Sequence, residues 1–167
     1  MTEEPQAEAF VTIFDDTYDQ PDCRAYFRMM DALGYRNQHH ATAAFRAGLD
    51  AVARVRGLDA PRMLDFASSY GIVTLLMRHE TTLAEVFARY RDPAFDGLSP
   101  GDVIARDRDW LACLPRRTPP LHVTGLDIMP NAVAYGRAVG CSTKDMPRIS
   151  RPLIPLTGWP PRWGKWT

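Results

Sequence analysis

The nine residues Leu64–Ile72 constrain the fold of this chain more than any other segment. Apolar residues lead to Asp65, small side chains follow, and Gly71 precedes an apolar stretch. A buried parallel strand that enters a tight turn at a helix N-terminus has this pattern, which is typical of sites for nucleotide-like ligands. We therefore predict a strand over 63–66. The i, i+3, i+4, i+7 spacing then predicts a helix whose inner face carries Ile72, Leu75, Leu76 and His79.

A second strand is predicted over Leu121–Asp127, and it also ends in an acidic residue. Pro130 opens the helix that follows. In nucleotide-binding α/β folds such an acid lies about 20 residues after the glycine turn. Asp127 lies 62 positions after Asp65, and a helical insert over 80–120 accounts for the difference. The order strand, helix, insert, strand, helix predicts an α/β unit whose two strands are parallel neighbours.

Four further apolar patterns predict helices. Thr82 and Glu85 form a capping-box pattern, and Ser99–Pro100 is a typical helix start. The predicted inward-facing residues are Tyr26, Phe27, Met30 and Leu33 in the first helix, Phe45, Leu49 and Val52 in the second over 41–56, Leu83, Val86, Phe87 and Tyr90 in the third, and Val103, Trp110, Leu111 and Leu114 in the fourth.

The charged and metal-binding residue types predict no metal site. Asp107 and Asp109 have the spacing of a D-x-D motif, but they lie in a charged helix and are predicted to form a solvated face. His39 and His40 are predicted to lie in a polar loop before the second helix. The three cysteines are far apart in sequence, so neither a disulfide framework nor a zinc site is indicated.

Together, the two strand–turn segments resemble motifs I and II of the class I S-adenosylmethionine (SAM) dependent methyltransferases, over roughly Arg62–Gly140. Motif I of that family reads as apolar residues, an acid, an apolar residue and then G-x-G-x-G. The aligned glycine positions here hold Ala67, Ser69 and Gly71. At either of the first two, a left-handed backbone would cost about 1 kcal/mol or more without glycine.

The resemblance implies SAM as the cofactor and direct methyl transfer from its sulfonium, with the protein mainly supplying orientation. It implies that Asp65 and the turn lie near the methionine part, that Asp127 accepts from the ribose hydroxyls, and that the residues after it flank the adenine. The implied cofactor-binding residues are Asp65, Ala67, Ser69, Gly71, Asp127, Ile128 and Met129. The plainer alternatives are a solvated strand-end carboxylate for Asp65 and a helix N-terminal charge for Asp127.

The predicted fold is α/β, a partial Rossmann-like methyltransferase fold with an incomplete parallel sheet. Residues 1–60 form an N-terminal helical cap, residues 61–140 form the partial SAM-binding unit, and residues 141–167 form an irregular tail rich in proline and tryptophan. The tail shows neither helical nor strand periodicity. Two interpretations of the tail are a docked Pro-rich arm and an ending that is out of frame or truncated, and the lack of periodicity favours the second. We therefore expect the chain to be catalytically inactive by itself.

Charge and composition narrow the function classes. Lys+Arg and Asp+Glu each number 20, so a basic nucleic-acid interface or an anionic-membrane binder is not indicated. The acidic start does not read as a signal peptide, and no apolar run reaches the ~18 residues of a membrane span. We expect a cytoplasmic protein whose methyl acceptor, of unknown identity, is a small molecule.

Two other functions remain open from the sequence. One is a non-catalytic α/β interaction domain that is completed by a partner or by self-association through an exposed sheet edge. The other is an NAD-type dinucleotide binder, which shares the reasoning for Asp127 but lacks the G-x-G-x-x-G turn.

Overall fold

The computed structural model describes residues 17–141 and confirms a mixed α/β architecture. The elements follow the predicted order. Two helices precede the first strand, a helix follows that strand directly, two more helices form the insert, and the second strand and a last helix come after them. Their bounds are α1 (Arg24–Ala32), α2 (Asn37–Arg56), β1 (Arg62–Phe66), α3 (Ile72–Arg78), α4 (Leu83–Arg91), a 3₁₀ turn (Pro93–Phe95), α5 (Pro100–Cys113), β2 (His122–Leu126) and α6 (Pro130–Ala138).

The two strands pair in parallel, as predicted, from Arg62 beside His122 to Phe66 beside Leu126. One face of this sheet packs against helices. On that face α6 contacts β2, and the side chain of Asp65 in β1 accepts a hydrogen bond from α3. On the opposite face, Leu64 is 56% and Phe66 is 76% exposed. The described part of the chain therefore covers the sheet on one side only. We call the side that carries Leu64 and Phe66 the open face.

The aromatic core lies between α1, α4 and α6. Phe27 stacks on Tyr90 with ring centroids 4.9 Å apart, and Tyr70 meets Tyr135 edge to face at 5.5 Å. Most of the predicted inward residues of the first, third and fourth helices are buried or half-buried, as are those of α3. The capping box of Thr82 and Glu85 forms as predicted.

The predictions for the first two helices need correction. Leu33 is 66% exposed because α1 has already ended and Leu33 is its C-cap. The second helix begins at Asn37, so the two histidines predicted to lie in a loop belong to its first turns. Its buried residues are the small side chains Thr42 and Ala53, since it packs closely on α3, whereas Phe45 and Val52 are 48% and 44% exposed.

The prediction that Asp107 lies on a solvated face is wrong. Its side chain is fully buried in α5 and accepts two hydrogen bonds from Arg89 of α4, both 3.0 Å long. Tyr135 Oη of α6 donates to its other oxygen at 2.8 Å. Cys23 Sγ, at the start of α1, lies 3.1 Å from Tyr135 Oη and 3.7 Å from Asp107 Oδ2. These four residues, the Asp107 network, connect four helices.

Arg89 is also held by aromatic rings. Its guanidinium carbon lies 4.7 Å from the centroid of Phe95 and 4.5 Å from that of Trp110. This stacking suits a planar guanidinium and keeps it aligned with Asp107. Burial raises the pKa of Asp107, although Tyr135 and Arg89 stabilise the carboxylate. Burying these groups therefore costs desolvation free energy. Removing one of them would cost the fold still more stability, because the remaining members would be left buried without a partner.

Removing the carboxylate should destabilise the fold strongly. We expect Asp107→Ala to lower the free energy of unfolding by about 3–5 kcal/mol, because Arg89 and Tyr135 lose their buried acceptor. Asp109→Ala is the matched control on the same helix, since that side chain is 79% exposed and its one ion pair within residues 17–141 is with Arg108 at 3.9 Å. It should change stability by less than about 0.5 kcal/mol. Urea denaturation measures both variants, and similar losses in the two would contradict the assigned role.

Candidate ligand-binding turn

The turn after β1 adopts a left-handed backbone at three alternate positions. The φ angles are +59° at Ala67, +49° at Ser69 and +81° at Gly71. These are the three positions that align with the glycines of the methyltransferase motif. A left-handed conformation costs an L-residue about 1–2 kcal/mol. The turn therefore keeps a glycine-type backbone path even where the side chains are not glycine.

Gly71 is required for space as well as for its backbone angle. A Cβ placed there would lie 3.0 Å from Cys141 Cβ, closer than atoms of this kind normally approach. Its N–H donates to Ser68 O at 2.8 Å, and its carbonyl accepts from Leu75 N at 2.8 Å. Gly71 thus closes the turn, opens α3 and lets the chain after α6 pass beside it.

Asp127 joins the turn after β1 to the turn after β2. Its Oδ2 accepts from Ser69 N at 2.7 Å, and its Oδ1 accepts from Met129 N at 3.0 Å. Ser68 N also donates to Leu126 O at 3.1 Å. The predicted juxtaposition of the two strand ends is therefore present. The carboxylate holds the strained residue Ser69 in place and also bonds the N-cap residue of α6.

Asp65 faces the helices and not the turn. It is 8% exposed, and its Oδ2 accepts from Thr74 Oγ1 of α3 at 3.0 Å. The plainer alternative of a solvated strand-end carboxylate is wrong for this residue. Burial raises the pKa of Asp65, and nearby Asp127 adds to the effect. Asp65 therefore fixes β1 to α3 and supports the turn from beneath.

The segment before α1 crosses this end of the sheet, which the sequence analysis missed. Asn131 N of α6 donates to Asp19 Oδ1 at 2.8 Å. Tyr70 Oη accepts from Gln20 N at 2.7 Å. Tyr18 packs edge to face on Tyr26 at 5.4 Å. Residues 18–20 have no periodic pattern or motif that would reveal this position.

A buried polar atom remains unused at the turn. Ser69 Oγ is buried and has no hydrogen bond of ordinary geometry within residues 17–141. Burial raises the pKa values of Tyr18 and Tyr26, and the nearby Ser69 hydroxyl acts against this rise in both. A buried hydroxyl without a partner costs free energy, so a ligand atom that bonds to it would stabilise the turn.

The two residues after Asp127 differ in exposure. Ile128 is 60% exposed beside the turn, and Met129 is half-buried against the core. Ala67 is also exposed. Of the seven cofactor-binding residues predicted from the sequence, Asp65 is the one whose side chain bonds away from the turn. The others lie in the two strand-end turns at the carboxyl end of the sheet.

Two other kinds of site are absent from the described residues. No group of three or more His, Cys, Asp or Glu side chains between residues 17 and 141 is arranged to hold a metal ion. Within the same range, no helix combines the length and the apolar character that crossing a bilayer requires.

Restoring glycine at the strained positions should stabilise the protein. Ala67→Gly and Ser69→Gly each remove about 1–2 kcal/mol of left-handed strain, while glycine adds about 0.4–1 kcal/mol of unfolded-state entropy. We expect a net gain of about 0.5–1 kcal/mol for each by urea denaturation. Ser68→Gly is the matched control in the same turn, because Ser68 has no positive φ. Ser68→Gly should destabilise the protein. A gain in unfolding free energy equal to that of Ala67→Gly and Ser69→Gly would contradict backbone strain as the cause.

The comparisons with known proteins add no relative. No protein-family model matches the chain, and neither a curated protein nor a solved structure is significantly similar to it. The features of this chain that bear on its function are therefore the turn, Asp127 and the surfaces that surround them.

Proposed function

We propose that this chain binds SAM at the turn over 67–71 and is a partial class I methyltransferase domain that does not transfer methyl groups by itself. The observation that carries the proposal is the left-handed backbone at Ala67, Ser69 and Gly71 beside the acid that ends the next strand. Strained backbone that is retained in a folded protein is characteristic of functional sites.

The residues at the turn fit a nucleoside ligand. Each carboxylate oxygen of Asp127 accepts one backbone N–H, and the Tyr18 hydroxyl also lies beside this carboxylate. A carboxylate has about four acceptor sites, so Asp127 can still accept from ribose hydroxyls. Ile128 offers an exposed apolar surface for a planar base. Ser69 Oγ makes no hydrogen bond of ordinary geometry among the described residues, although the hydroxyls of Tyr18 and Tyr26 lie near it, and a ligand atom would give it a well-formed bond.

SAM would supply an electrophilic methyl group on its sulfonium, so the protein's part is to orient the cofactor and to exclude water. In this proposal the turn positions the methionine part, and Asp127 fixes the ribose. The acceptor is proposed to be a small molecule. Phe66, which leads directly into the turn, is 76% exposed. An uncovered surface this close to the turn supports the proposal that methyl transfer needs a further covering element.

Calorimetric titration of the 167-residue chain with SAM and with NAD in parallel tests the proposal. We expect SAM to bind more tightly, and Asp127→Asn to weaken SAM binding by at least about tenfold, which is 1.4 kcal/mol. Asp59→Asn is the control, because that exposed aspartate lies in the loop before β1, away from the turn. The proposal would be overturned if NAD bound more tightly than SAM, or if Asp127→Asn and Asp59→Asn bound SAM with the same affinity. Methyl transfer to any acceptor by the purified chain would overturn its inactive part.

A second candidate function is self-association, because the open face presents apolar side chains. Leu64 and Phe66 lie on the same side of β1, and both are more than half exposed. Burying such a face against another chain gains about 25 cal/mol per Å² of apolar surface. An interaction domain of this kind needs no cofactor.

Sedimentation velocity distinguishes this candidate. We expect Phe66→Lys to reduce self-association several-fold, because a charge replaces the most exposed apolar side chain of the strand. Leu33→Lys is the matched control, since Leu33 is 66% exposed at the end of α1, outside the sheet. A chain that is monomeric at all concentrations and unfolds cooperatively would rule the candidate out.

A further inference from the structure

A groove of about 520 Å³ lies between α2 and the segment that joins α3 to α4. It contains none of the residues of the 67–71 turn, so it is separate from the proposed SAM site. Its volume is in the range of small-molecule sites. The described residues that line it include Arg46 and Asp50 of α2 and Arg117, together with Ala43, Ala47 and Leu76.

Arg117 is fixed at the side of this groove by the backbone. Its N–H donates to Arg78 O at 2.9 Å, and its side-chain Nε donates to His79 O at 2.7 Å. The segment that carries Arg117 pairs with the end of α3, where Arg116 and His79 form an antiparallel bridge. With Nε bonded, the two terminal nitrogens of the guanidinium have no hydrogen-bond partner among residues 17–141. Little side-chain entropy is left to lose when they bind a ligand.

Arg46 extends from the middle of α2 into the same groove. No carboxylate in the described part of the chain lies within 4 Å of Arg46 or of Arg117. Burial lowers the pKa of Arg117, and the charge of Arg46 lowers it further, while Glu80 raises it. The fold therefore holds two cations near each other, and an anion between them would remove their repulsion.

The other lining groups set the character of the ligand. Asp50, one helical turn after Arg46, is the one acidic residue among the described residues that line the groove. The two arginines and the one aspartate of this lining leave an excess of one positive charge. Ala43 and Ala47 of α2 are exposed and supply apolar surface, and the buried side chains of Leu76 and Leu83 line the groove from the core. A ligand that matches this lining carries an anionic head that can pair with both arginines, and an apolar body.

We propose that this groove binds a phosphate monoester whose organic part is apolar, with Arg46 and Arg117 holding the phosphate. Guanidinium groups form paired N–H···O bonds with phosphate oxygens, and a partly desolvated site strengthens them. The exposed side chains of Ala43 and Ala47 contact the organic part. This binding is independent of the proposed methyltransferase function, because it uses none of the same residues.

Calorimetric titration of the full chain with phenyl phosphate tests the proposal. We expect saturable binding that Arg46→Gln and Arg117→Gln each weaken by at least tenfold. Asp50→Asn should tighten binding several-fold, because it removes the acid that competes with the phosphate. Arg54→Gln is the matched control on α2, since Arg54 is exposed and does not line the groove. It should leave the affinity unchanged.

Inorganic phosphate and phenol separate the two parts of the ligand, and each should bind more weakly than phenyl phosphate. Arg117 also bonds to the backbone, so thermal unfolding is measured for its variant. Arg46 makes no such bond among the described residues, and Arg46→Gln therefore decides the outcome if Arg117→Gln is unstable. Equal affinity in Arg46→Gln and Arg54→Gln, phenol binding as tightly as phenyl phosphate, or no saturable binding would overturn the proposal.

Discussion

The buried carboxylate of Asp107 is the interaction on which the rest of this structure depends. It receives hydrogen bonds from Arg89 and Tyr135, and Cys23 closes the network at the start of α1. Through these contacts it fixes the helical insert relative to α6. Since α6 begins directly after the turn that contains Asp127, the position of that turn depends on a charged group about 20 residues earlier in the chain.

At the carboxyl end of the sheet, two opposing effects coexist. The left-handed backbone at Ala67 and Ser69 raises the free energy of the folded state, and the bond from Ser69 N to Asp127 lowers it. A charge-assisted hydrogen bond of this kind contributes about 1.5–3 kcal/mol, comparable with the strain at one such residue. Asp127 is thus required by the protein's own turn, whatever ligand it also binds. The same residue serves folding and the proposed recognition.

The elements that could be predicted from the sequence were those with local patterns. Both strands, the buried face of α3 and the capping box of α4 can be predicted from patterns that span only a few neighbouring residues. The burial of Asp107 could not be predicted, because its main partner lies 18 residues away and the pattern of its own helix is charged. The exposure of Phe45 was missed for a related reason. Helical periodicity shows which side chains share a face, but not whether another element covers it.

The close contact between Gly71 and Cys141 has a consequence for the chemistry of the thiols. Cys141 is buried there, which raises its pKa to about 12, and burial in the Asp107 network raises the pKa of Cys23 as well. Both sulfurs therefore stay protonated and shielded in the native protein at neutral pH, and only a thiolate reacts readily with electrophiles. The third cysteine of the sequence, Cys113, is exposed at the end of α5. A fluorophore or surface linker can thus be attached at one position without touching the turn or the core.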